Sequence, residues 1–86
     1  MDPLDPQETQ RLVTIIRAKL TDGRLPYNSI PRIWGGPGNG EACDVCESPV
    51  SSKEFLMEGI AEGDGGVQFH VRCFYLWDAL RRGLAP

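Results

Sequence analysis

Ala42-Cys43-Asp44-Val45-Cys46-Glu47 and Phe69-His70-Val71-Arg72-Cys73-Phe74 together hold every cysteine of the chain and its one histidine. Cys43 and Cys46 form a C-x2-C pair, and His70 and Cys73 form an H-x2-C pair. A tight turn aims the first pair at one centre, and one turn of helix does the same for the second. Three thiolates and an imidazole suit zinc, and four protein ligands leave no coordination position for water. The pattern therefore predicts one structural Zn2+ bound by Cys43, Cys46, His70 and Cys73. An iron site of the rubredoxin kind prefers four sulfurs. A disulfide framework would leave one cysteine over. Read alone, Cys43 and Cys46 would be a redox pair, His70 a satisfied core histidine and Cys73 a small buried hydrophobe, but no thioredoxin-like strand-then-helix unit surrounds the cysteine pair.

Length makes such an ion useful. At 86 residues and 9.5 kDa, one small domain buries only roughly 60–65% of the surface its unfolded chain exposes. Structural zinc in finger peptides contributes about 10–16 kcal/mol at neutral pH, comparable with a whole domain's stability. The composition, 41% hydrophobic and 24% charged, is that of an ordinary globular protein, and ten Gly and seven Pro predict a loop-rich one. The opening Met1-Asp2-Pro3-Leu4-Asp5-Pro6 is acidic and Pro-rich, unlike an export signal, and no apolar run is long enough for a bilayer. A soluble cytoplasmic protein in a reducing compartment, with no membrane partner, is the expectation. Net charge −3 with a pI near 5.0 opposes general polyanion binding.

Outward from the cysteine pairs, the pattern is mixed α and β. A first helix is expected from Pro6 to Asp22, with Asp5 as cap, Glu8 as capping-box acid, an apolar face of Leu12, Val13, Ile15, Ile16 and Leu20, and Gly23 as stop. Arg24 to Trp34 is held extended or turning by two prolines and should cross the core surface, anchored by Trp34. Gly35-Gly36-Pro37-Gly38-Asn39-Gly40 lacks the Lys-Ser/Thr of a phosphate loop and reads as a flexible approach to the first cysteines. Lys53 to Ala61 predicts a strand with Phe55 and Met57 on one face, Glu62 to Gly66 a hairpin turn, and Val67 to His70 the return strand. A second helix follows from Val71 to Arg82, with Phe74, Trp77 and Leu80 at spacings of three. The expected architecture is α+β: residues 1–34 an amphipathic helix and apolar segment packed on residues 35–86, the metal-binding module.

Knuckle, hairpin and a helix carrying the last ligand together resemble a treble-clef zinc finger over about Gly40 to Arg82. Cys43-x2-Cys46 with Phe69-His70-x2-Cys73-Phe74 is similar to the first zinc site of a LIM domain. A LIM domain starts its second site with a cysteine three residues after Cys73, where this chain has Leu76, and ligands for a second ion are missing. Glu47 also stands where such knuckles often carry glycine. Trp34-Gly35-Gly36-Pro37-Gly38-x-Gly40-x-x-Cys43-x-x-Cys46, with Phe69-His70-x-x-Cys73-Phe74-x-x-Trp77, is similar to a group of small, uncharacterised bacterial zinc-binding proteins.

Three functions compete. The first is a zinc-stapled protein-interaction module presenting the N-terminal helix, Tyr27 to Trp34, or exposed parts of Phe74, Tyr75 and Trp77; these residues would otherwise pack as core. The second is a DNA- or RNA-binding regulator using Arg11, Arg17, Lys19, Arg24 and Arg32, where Asp22 is the one acid between them. Against it, seven acids crowd Glu41 to Asp64, and three thiolates outweigh one zinc by a single negative charge. The third is a thiol-redox sensor that releases zinc on oxidation. An enzyme is not expected. Arg72 stands where a zinc deaminase has its general-base Glu, and a metal-dependent nuclease needs a histidine beyond the ligand.

Overall fold

The computed structural model describes residues 6–61 and 65–83. Helix α1 spans Pro6–Thr21 and α2 spans Val71–Arg81. Strands β1 (Arg32–Pro37), β4 (Phe55–Ile60) and β5 (Gly66–His70) form an antiparallel sheet in the order β1-β4-β5. A separate two-residue ladder pairs β2 (Glu41–Ala42) with β3 (Pro49–Val50). The described residues thus form a small α+β fold with two helices and short antiparallel strands. No helix among the described residues is long and apolar enough to cross a membrane.

α1 forms where the apolar period requires it. Leu12, Val13, Ile16 and Leu20 are buried on one face, while Gln10, Thr14 and Arg17 face solvent. Gly23, at φ +86°, turns the chain out of the helix, a conformation that glycine adopts at little steric cost. Asp5, the expected cap, and most of the expected turn, residues 62–64, lie outside the described residues. Just past the end of α2, Gly83 again takes a positive φ.

The core is one cluster. Leu12, Ile16, Leu20 and Leu25 meet Val45, Val50, Leu56, Phe69, Cys43, Cys73 and Trp77. Phe69 and Trp77 stack with centroids 5.3 Å apart, and Phe74 stands edge-on to Phe69 at 5.8 Å. Trp77 Nε1 donates to the Pro26 carbonyl at 2.9 Å, so the indole is buried with its one donor satisfied.

Two details depart from the sequence reading. The segment before the cysteines is anchored by Leu25, which is 2% exposed, whereas Trp34 is 48% exposed. The reason is that Arg32–Pro37 is a true edge strand, pairing Trp34 with Glu58 and Gly35 with Met57. Half of the expected flexible glycine run therefore lies in a sheet. In β4, Phe55 and Met57 share one face over Gly35, as the alternation requires, and the buried residue is Leu56 of the other face.

Candidate metal centre

The first cysteine pair sits in a turn clamped by the β2–β3 ladder. Cys43 N–H donates to the Ser48 carbonyl at 3.0 Å, and Glu47 N–H donates to the Cys43 carbonyl at 2.8 Å. Inside the turn, Val45 N–H points at Cys43 Sγ, 3.4 Å away. Closing so tight a loop puts Glu47 at φ +67°, where glycine is the unstrained residue. The second pair straddles the junction of β5 and α2: His70 is the last residue of the strand and the N-cap of the helix, and Cys73 lies in the first helical turn.

These elements bring together all four residues singled out by spacing. One ligand atom from each of Cys43, Cys46, His70 and Cys73 lies within 4.8 Å of the others. Cys46 Sγ is 3.3 Å from His70 Nδ1, which makes Nδ1 the ring nitrogen aimed at the cluster. His70 Nε2 faces outward, 3.6 Å from Glu54 Oε1. Cys43, His70 and Cys73 are buried and Cys46 is partly so. This Cys3His cluster is positioned to bind one metal ion.

Its electrostatics call for a cation. A hydrogen bond with Cys73, aided by the backbone N–H groups of Cys46, His70 and Val45, drives the Cys43 thiol well below its ordinary range. The same bond, together with burial, pushes Cys73 up. Two thiols buried this close to each other oppose the ionisation of both at once. A dication at the centre removes that penalty. The donor set and its compactness fit a thiophilic metal with tetrahedral preference.

Spacing did not reveal the supports. Lys19, 5% exposed, reaches from α1 and donates to the carbonyls of Asp44 at 2.8 Å and Val45 at 2.9 Å, and to Glu47 Oε2 at 3.0 Å. Asp44 links the knuckle to the hairpin: its N–H donates to the Gln68 carbonyl, and its Oδ2 accepts from Gln68 N–H at 2.7 Å. Burial raises the Asp44 carboxyl against the effect of that bond. Lysine at helix position 19 looks solvent-facing in sequence, although it falls within the arc of Leu12, Ile16 and Leu20; that placement was the available signal.

Of the basic residues considered for nucleic acid, Lys19 is buried on the knuckle, Arg11 is paired with Glu8 and Arg24 with Asp22. Comparison of the chain with protein-family models, curated proteins and solved structures finds no match.

Proposed function

We propose that the cluster holds a single structural zinc ion in a treble-clef arrangement, and that the protein acts by binding another protein, without catalysis. The observation that carries this reading is the convergence of three thiols and His70 Nδ1 within 4.8 Å at a largely buried point. Zinc is the metal of choice because it is content with mixed sulfur and nitrogen donors in a closed tetrahedron, without redox chemistry. The order of elements supports the finger assignment: knuckle between β2 and β3, hairpin β4–β5, then a helix whose start supplies the last two ligands. When bound, the ion would tie α2 to the knuckle and so fix the wall against which α1 packs.

The interaction reading rests on what remains outside the core. Tyr27, Trp34, Phe55, Ile60 and Tyr75 are all more than 40% exposed. Aromatic side chains of this kind supply binding energy when a partner desolvates them. Mass spectrometry under non-denaturing conditions tests the metal directly: one zinc per chain is expected, lost from Cys43→Ser and Cys73→Ser variants. A purified protein carrying an iron–sulfur cluster, or one indifferent to those substitutions, would refute the assignment.

A further inference from the structure

β1 is the open edge of its sheet, and its hydrogen-bonding parity can be read from its neighbours. Gly38 N–H donates to the Glu54 carbonyl, and this bond continues the β1–β4 register in which Pro37 faces Phe55. In an antiparallel ladder, hydrogen-bonded pairs alternate with non-bonded ones. Gly36, Trp34 and Arg32 therefore turn their backbone groups inward to β4, and Ile33 and Gly35 turn theirs outward. The Arg32 carbonyl lies on the β4 side, close to where a Cβ on Gly59 would stand, as this parity requires. Pro37 occupies the next outward position, where the missing N–H costs the sheet nothing, and Pro31 stands at the bend just before the strand. The edge thus offers the N–H and C=O of two residues, bracketed by prolines.

We propose that this edge is a dimer interface: β1 pairs antiparallel with β1 of a second copy about a two-fold axis at Trp34. In this register Ile33 faces the second copy's Gly35 and the reverse, so both outward residues on each chain exchange both backbone bonds. Pro37 is the next outward residue of the strand and has no N–H to strand at the end of the ladder, and the bend at Pro31 keeps that residue out of it.

The side chains follow the same symmetry. Trp34, exposed on one face, meets the second copy's Trp34 as a non-bonded cross-strand pair, the closer of the two pair types. Arg32 lies over the second copy's Gly36, where space for a Cβ is open. On the other face the Phe55 ring covers Gly35, and the second copy's Ile33 comes beside that ring. Exposed Ile33, Trp34 and Phe55 are all covered in one step. The contact is small, so the dimer is weak and concentration-dependent. This surface deepens the interaction reading above by naming the partner as the chain itself.

Sedimentation of the zinc-loaded chain from micromolar to millimolar concentration tests it, with metal content measured on the same samples so that loss of the site and loss of the dimer are told apart. The mass should approach twice 9.5 kDa, and Ile33 and Gly35 amide exchange should slow with concentration while Trp34, already bonded to β4, stays unchanged. Trp34→Lys places like charges opposite each other across the axis yet leaves each monomer a Lys–Glu58 cross-strand pair. It should weaken the dimer about tenfold or more at unchanged zinc content. A zinc-loaded wild type that stays monomeric at millimolar concentration overturns the proposal. So does a dimer that ignores Trp34→Lys and leaves the Ile33 and Gly35 amides unaffected.

Discussion

Lys19 shows at the residue scale how the Cys43–Cys46 turn and α1 are joined. Its ammonium gives hydrogen bonds to two main-chain carbonyls and one carboxylate, and charge-assisted bonds of this kind are worth about 1.5–3 kcal/mol where buried. Lys19→Met keeps the apolar stem but leaves the carbonyls of Asp44 and Val45 without that donor. We expect it to destabilise the zinc-loaded fold by about 2–4 kcal/mol in chemical denaturation. Glu47→Gln should cost clearly less, because the Glu47 side chain is 72% exposed and Lys19 retains its two carbonyls. Equal losses in the two variants would show that the ion pair, not the carbonyl contacts, does the fastening. The four residues of the cluster were legible in sequence as candidate ligands because their chemistry is written in residue type and spacing. Lys19 was not, since sequence displays its charge but not its burial, and it was read as part of a basic surface.

At the element scale, α1 contributes Leu12, Ile16 and Leu20 to the same cluster that contains Cys43 and Cys73. Ile16 is fully buried, so Ile16→Ala should lower unfolding free energy by about 2–5 kcal/mol, read from the denaturant midpoint at constant slope. A change of a few tenths would mean that α1 does not pack on this core in solution. Both helices and the β4–β5 hairpin were legible, since 3.6-residue periodicity and terminal glycines mark the former and alternation marks the latter. β1 was hidden. Pro31, Pro37 and two glycines within Arg32–Pro37 read as loop, because residue preference says nothing about which way a backbone N–H points. Pro37 faces away from β4 and Gly35 lies under the Phe55 ring, so neither breaks the sheet. Trp34 was misassigned for the same reason: without β1 its exposure on a sheet edge could not be deduced.

At the scale of the whole molecule, the proposed zinc ion and the core have to be counted together. In acid the unfolded chain binds three thiol protons and one imidazole proton, whereas the zinc-loaded native chain binds none of these. Since the unfolded state holds more protons, stability rises with pH and is lost on acidification. The slope should be about 4 kcal/mol per pH unit between the ordinary imidazole and thiol values, and steeper below the former. Zinc-loaded samples unfolded across pH 5 to 8 would show this slope; a stability independent of pH over that range would mean that thiolate ligation is not what holds the fold.

The most direct measurement compares the chain stripped of metal with the same chain given a single equivalent of zinc, followed by calorimetry and by the dispersion of its backbone amide resonances. The account predicts that the stripped chain loses its cooperative transition and native dispersion, and that zinc restores both at one ion per chain. A metal-free sample that melts cooperatively and keeps a dispersed native spectrum would contradict it.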